Sequence, residues 1–314
     1  MTRITQFVCW GAPWRAALLT LLFLPLSSCS TTERLTEADS ITDGEAIPAP
    51  DAPSFTAWAG GIPIGLYHLP TNQFGSIYNA SLTNGRTLDS LGIFLSTLKA
   101  IKARGGKVVL QLTGNEDHYL DSSGHFSFTK WKARVDLFRK YNFSSYITDG
   151  TIIAHFMIDE PNDATNFGGL AVTGIQVEAM AQYSKTIWPT MATVVRTEST
   201  YLARWPSYKY LDATWAQYVY RKGDPGTFIS RNIADAQKLG LALVTGLNIK
   251  RGGINGAKMT PTQIKTWGAT LLAPTYTCAF ISWEYMSYVN TTAVKDAMIY
   301  LRAKAQNRNF KPCS

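Results

Sequence analysis

The chain has 314 residues, 46% of them hydrophobic, with 30 Lys and Arg against 22 Asp and Glu for a formal net charge of +8. Four His and four Cys occur without His-x-x-x-His or Cys-x-x-Cys spacing, so no metal and no cofactor is expected. The positive charge comes with no nucleic-acid-binding motif, and nucleic acid is not expected as a partner.

The first 28 residues read as an export signal. Arg3 and Arg15 supply positive charge, Ala16 to Leu26 is an apolar run too short to span a bilayer, and Leu26-Ser27-Ser28 leads into Cys29. Leu-Ser-Ser before a cysteine resembles the bacterial lipobox. The resemblance implies that Cys29 is lipidated, that the lipid is the chain's contact with a membrane, and, because Ser30 is not an aspartate, that the membrane is the outer one of the cell envelope. Residues 29–54 hold one basic and six acidic residues, no apolar periodicity and several prolines, as expected of a flexible tether. Residues 55–314 have the composition of a packed domain and carry 27 Lys and Arg against 16 Asp and Glu. Such a basic domain suits an anionic partner, such as an acidic glycan, and equally a basic solvated surface. A stretch of this length is large for two layers and ordinary for an α/β barrel.

From Gly61 on, short apolar segments alternate with amphipathic ones, the pattern of parallel βα units. The first strand is expected at Ile62 to Tyr67 and a weak second one near Ile77 to Ala80. A helix with Leu91, Phe94, Leu98 and Ile101 on one face follows, stopped by Gly105-Gly106. Strand three is Lys107 to Leu112. A helix through Trp131, Val135 and Phe138 leads to strand four, Thr151 to Ile158, and a helix through Val177, Met180, Ser184 and Ile187 to strand five, Ala192 to Arg196. Strand six is Ala213 to Tyr218. A helix with Ile229, Ile233 and Ala236, capped by Gly240, precedes strand seven, Leu241 to Leu247. Thr260-Pro261-Thr262-Gln263 has the form of a capping box with Pro at the first helical position. Strand eight is Thr277 to Trp283, before a last helix from about Thr291 to Gln306. Eight strands predict a single-domain (β/α)8 TIM barrel of the α/β class. No Gly-x-Gly-x-x-Gly follows the first strand, which argues against a dinucleotide fold.

Barrel enzymes place their chemistry at the C-terminal ends of the strands. Those positions hold Tyr67 and His68, Gln111, Asp159-Glu160-Pro161, Arg196 and Glu198, Gln217 and Tyr218, Asn248, and Trp283-Glu284-Tyr285. An apolar strand has no packing reason to finish on two carboxylates, since burying either costs several kcal/mol unless it is paired. Glycosidic cleavage uses two carboxyl groups, one giving a proton to the leaving oxygen and one supporting the positive anomeric carbon. The plainer reading is an ion pair of Asp159-Glu160 with Arg196, and of Glu284 with a loop lysine.

Ile158-Asp159-Glu160-Pro161 resembles the Asn-Glu-Pro of the large retaining glycosidase clan, whose Glu is the acid/base, and the Asp-Glu of the substrate-assisted hexosaminidases. Trp283 resembles the tryptophan that floors the sugar subsite in both. The resemblance implies a glycoside hydrolase with Glu160 as acid/base and Tyr67, His68, Gln111, Arg196, Glu198, Gln217, Tyr218, Asn248, Trp283 and Tyr285 contacting sugar. It departs at strand seven, where Leu247-Asn248-Ile249-Lys250 offers no nucleophilic carboxylate. Three versions stay open: Glu160 with Glu284, a substrate-assisted pair of Asp159 and Glu160, or an inverting enzyme. Two rival functions stand beside this one. One is a non-catalytic barrel that binds glycan or an envelope component. The other is an enzyme acting on a phosphorylated small molecule through the glycine amides of residues 250–256, with Lys250 as a Schiff-base candidate.

Cys278 begins strand eight at the bottom of the barrel, and the last helix runs back to that face just before Cys313. In an oxidising compartment the two are expected to form a disulfide.

Overall fold

The computed structural model describes residues 61–75 and 77–314. The export signal, Cys29, the tether and the start of the 55–314 domain lie outside the described residues.

In chain order the elements are β1 (Ile64–Tyr67), β2 (Ala80–Asn84), α1 (Gly85–Ser90), α2 (Phe94–Ala103), β3 (Lys107–Gln111), α3 (Phe128–Asp136), α4 (Ser144–Thr148) and β4 (Ile152–Asp159). They continue with α5 (Gly174–Ile187), β5 (Thr193–Arg196), α6 (Ser199–Leu202), β6 (Ala213–Tyr218), α7 (Pro225–Leu239), β7 (Ala242–Leu247), α8 (Pro261–Leu272), β8 (Thr277–Ser282) and α9 (Thr292–Gln306). Every strand pairs in parallel with its neighbours in sequence, and β8 closes on β1. The architecture is the (β/α)8 barrel.

Side chains fill the barrel in alternating sizes, as a closed parallel sheet requires. Ala80, Ala154, Ala213, Ala242 and Ala279 leave room for Tyr67, Phe156 and Trp215. Close approach is built in at two glycines: a Cβ on Gly65 would fall 1.6 Å from the Ala80 carbonyl oxygen, and one on Gly246 1.9 Å from that of Ile281. The larger cluster lies between strands and helices and includes Leu98, Trp131, Met180, Phe228, Ile264 and Leu301. There, the Trp131 indole donates to the Met157 carbonyl at 2.8 Å, and His155 Nδ1 meets Ser184 Oγ at 2.8 Å.

Local signals explain the helix limits. Thr260 and Gln263 form a reciprocal capping box with Pro261 in the first turn, and Gly240 closes α7 in the left-handed region at φ 69°. Two expectations shift. β2 runs from Ala80 to Asn84, later than Ile77 to Ala80. Polar residues conceal it, since Asn79 just before the strand and Ser81 within it accept with their side chains from the Ile64 and Leu69 amides. Leu91 is 64% exposed, because α1 ends before it and α2 begins only at Phe94, after a turn at Gly92. At the bottom of the barrel Cys278 and Cys313 form a disulfide with Cα atoms 5.3 Å apart.

Candidate active site at the C-terminal end of the barrel

Arg196, the last residue of β5, is the pivot. Its Nε and Nη2 engage both oxygens of Asp159, the second at 2.6 Å, and its Nη1 lies 2.8 Å from Gln217 Oε1 and 3.4 Å from Glu160 Oε1. Burial by itself would lower the guanidinium pKa, but the field of Asp159 prevails and raises it. The guanidinium also lies over the rings of Tyr67 and Trp283, at 5.8 and 5.6 Å from their centroids.

Tyr67, Trp215 and Trp283 form an aromatic floor, with Tyr67 4.8 Å from each of the two indoles. His68 stands exposed at its edge, 6.2 Å from Trp283. Two polar groups here are buried without a hydrogen-bonding partner among the described residues, the Tyr67 hydroxyl and the Gln217 amide nitrogen. Buried polar groups are normally satisfied, so a ligand that accepts hydrogen bonds fits here.

Glu160 follows β4 with φ 36°, a region that L residues other than Asn and Asp seldom occupy. The surrounding chain holds it there: its N–H donates to the Arg196 carbonyl at 2.9 Å, and its carbonyl accepts from Asp163 N at 2.9 Å. Strain of this kind costs about 1–3 kcal/mol and collects at functional sites. The side chain is 46% exposed, in contrast with Asp159 at 19%.

A cleft of about 1320 Å³ opens above β4 to β7, lined by Glu160, Arg196, Glu198, Trp215, Gln217 and Asn248 among others. That exceeds the usual 300–1,000 Å³ of small-ligand sites and suits an extended ligand. Glu198 binds Lys222 and Arg231; burial would raise its carboxyl pKa, but the two cations hold it below the usual carboxylate range. Asn248 accepts from the Arg251 amide at 2.9 Å and so shapes the loop after β7. Glu284 is paired with Lys250.

Other strand-end residues are placed apart from the cleft. Tyr218 is buried on the outer side of the barrel against Phe228 and Trp267, its hydroxyl donating to the Gly223 carbonyl at 2.6 Å. A strand that turns Gln217 inward must turn its neighbour outward. Gln111 donates to the Gly114 carbonyl at 3.1 Å, and the Tyr285 hydroxyl accepts from Asn290 at 2.9 Å. The 250–256 loop does not gather amides around an anion. Gly252, Gly253 and Gly256 donate to the carbonyls of Asn248, Ala257 and Gly253, and Lys250 is held by Glu284.

Trp215 belongs to the site although it reads as strand interior. Glu116, in the loop after β3, is half-buried, and burial followed by the nearby Asp159 raises its carboxyl pKa. A polar turn gave no sign of that burial.

No family model matches the chain, and no curated protein matches its sequence. Solved structures do resemble it. Saccharomyces cerevisiae Gas2p in complex with laminaritetraose and laminaripentaose is 10% identical, with a TM-score of 0.53 over 83% of this chain and 69% of that one. Gas2p with laminaritriose and laminaritetraose is 9% identical, with a TM-score of 0.53 over 82% and 68%. Xylanase B from Clostridium stercorarium F9 is 11% identical, with a TM-score of 0.47 over 76% and 96%. The likeness to Gas2p is one of architecture, and the two share the (β/α)8 barrel.

Proposed function

We propose that the protein cleaves or transfers glycosidic bonds in a polysaccharide, with Glu160 as the general acid/base. The observation that carries this reading is Glu160 itself: a half-exposed carboxyl, held at positive φ, above an aromatic floor and beside Arg196. The partly exposed indole of Trp283 suits the C–H face of a sugar, and the Tyr67 hydroxyl and the Gln217 amide, without partners among the described residues, are suited to donate to sugar oxygens.

Asp159 and Glu160 share one guanidinium and therefore approach the substrate from the same side. A group acting on the opposite face of the anomeric carbon has to come from elsewhere. Glu284 follows β8, which lies across the closed barrel from β4, and it is ion-paired with Lys250. In this reading Glu160 protonates the leaving oxygen as the C–O bond breaks, and Glu284 attacks the anomeric carbon or activates a water there. Asp159 keeps Arg196 in place. The self-satisfied amides of the 250–256 loop weigh against a phosphorylated small molecule. The lipobox-like segment supports an envelope location through lipid on Cys29.

The test begins with a glycan panel that includes laminari-oligosaccharides, the ligands of Gas2p. On any glycan cleaved by the parent, Glu160→Gln should lose about 10²-fold or more in kcat with an unchanged melting temperature. Activity within a few-fold of the parent removes Glu160 from the chemistry. Glycan binding without any cleavage moves the protein to the non-catalytic class.

A further inference from the structure

The cleft is electrically lopsided. Six basic side chains line it, Arg196, Arg204, Arg221, Lys222, Arg231 and Arg251, against the carboxylates of Glu160, Asp163 and Glu198. Their pairing is uneven. Arg196 is taken by Asp159 and Glu160, and Lys222 and Arg231 converge on Glu198. Arg204, Arg221 and Arg251 make no ion pair with any carboxylate among the described residues. Arg204 lies over the Tyr201 ring at 5.0 Å, and Arg221 touches Asp163 only through its field.

These three arginines are exposed and come from three successive loops, after β5, β6 and β7. Gathering like charges on separate loops around one concavity is unfavourable unless an anion lies among them. Arginine also suits this task, since its planar fork binds a carboxylate or sulfate through two hydrogen bonds. The other half of the barrel mouth is different. There the exposed His68 and the partly exposed Trp283 lie over the buried Tyr67 ring, and Lys250 is already neutralised by Glu284.

We infer that the cleft over β5 to β7 is a subsite for negatively charged sugar units, and that the substrate is an acidic polysaccharide whose carboxylate or sulfate groups are held by Arg204, Arg221 and Arg251. The inference rests on the proposed glycosidase reading for the substrate being a glycan. It adds which glycans, and on which side of Glu160 their charges lie.

The experiment measures binding of the full chain to polygalacturonate, dextran sulfate and neutral laminarin at low and near-physiological salt. An acidic glycan should bind about tenfold or more tighter than laminarin at low salt, and the gap should narrow as salt rises. The triple variant Arg204→Ala/Arg221→Ala/Arg251→Ala should lose about tenfold or more on the acidic glycan and keep its laminarin affinity. A control triple, Lys99→Ala/Lys238→Ala/Lys304→Ala, removes equal charge from exposed positions on α2, α7 and α9 and should bind as the parent does. Preference for polygalacturonate assigns the subsite to uronates, and preference for dextran sulfate assigns it to sulfate esters. Equal losses in the two triples, or no preference for either acidic glycan, overturn the inference, because attraction would then come from net charge or be absent. Melting curves confirm that both triples fold. Cleavage separates the two proposals. An acidic glycan bound through the arginines and never cut leaves the subsite and removes the enzyme, whereas a neutral glycan cut at Glu160 with acidic ones ignored does the reverse.

Discussion

Arg196 holds Asp159 through both carboxylate oxygens and has one nitrogen left, which it divides between Gln217 at 2.8 Å and Glu160 at 3.4 Å. One buried cation thus fixes the end of β4 to those of β5 and β6. Removing it strands a partly buried carboxylate, which typically costs about 3–5 kcal/mol. Arg196→Met should show a loss of that order in urea unfolding. Arg196→Met/Asp159→Leu should recover part of it, since both members of the pair are then gone. Equal stability of the single and double variants would show that the pair is not coupled.

Glu160 at φ 36° gives a second expectation. At an ordinary site Gly is less stable than Ala, because the unfolded chain is freer. At positive φ the order reverses, since the cost of an L residue there, about 1–2 kcal/mol, outweighs that entropy. Glu160→Gly should therefore melt above Glu160→Ala, with both inactive. If the Ala variant melts higher, the backbone at this point is not strained.

The pH dependence of stability should carry the mark of His155. Burial lowers its pKa from 6.5 to about 3, so the folded protein keeps the ring neutral where the unfolded chain takes up a proton. Stability from this group is complete above pH 6.5 and falls as the pH drops toward about 3. The slope is up to about 1.4 kcal/mol per pH unit. His155→Gln should flatten the fall between pH 6.5 and 4.5. An unchanged profile would assign the acid sensitivity to other groups.

Cys278 and Cys313 lie 35 positions apart, and the segment between them contains all of α9. In the chain-entropy picture a loop of this length stabilises by about 2–4 kcal/mol. Cys278→Ala/Cys313→Ala should lose stability in that range, and the reduced parent should match it. A reduced parent as stable as the oxidised one would reject that account.

Lipidation at Cys29 is tested by fractionation. The parent should sediment with membranes, and Cys29→Ala should move to the soluble fraction. Continued sedimentation of the variant removes the lipobox reading.

The barrel was legible where burial on both faces makes a strand an uninterrupted apolar run, as in Val108 to Leu110 or Leu243 and Val244. It was least legible at β2, where Ser81 and Thr83 serve the backbone and the packing of a small strand. In the site, the rule that chemistry sits at strand ends found Arg196, Gln217, Glu160 and Asn248 as lining residues of one cleft. The same period of two, applied at β6, would have separated Tyr218 from Gln217. Trp215 was hidden because an indole inside a strand looks like core, and it is both core and floor. Arg204, Arg221 and Arg251 sit in loops without periodicity, and Lys250 meets Glu284 across 34 positions. Such convergence comes from closing the barrel and has no trace in local sequence.

The direction of the strands also decides how the molecule faces its surroundings. Gly61 and Cys313 border the same hollow at the foot of the barrel, and every strand runs from that end to the cleft. Whatever precedes residue 61 therefore joins the domain at its rear. A support fastened directly at Gly61 lies at the end of the barrel opposite the cleft and leaves the cleft clear of the attachment. Fastening through a tag after Ser314 has the same effect, so immobilisation at either terminus should leave a long-chain glycan free to enter.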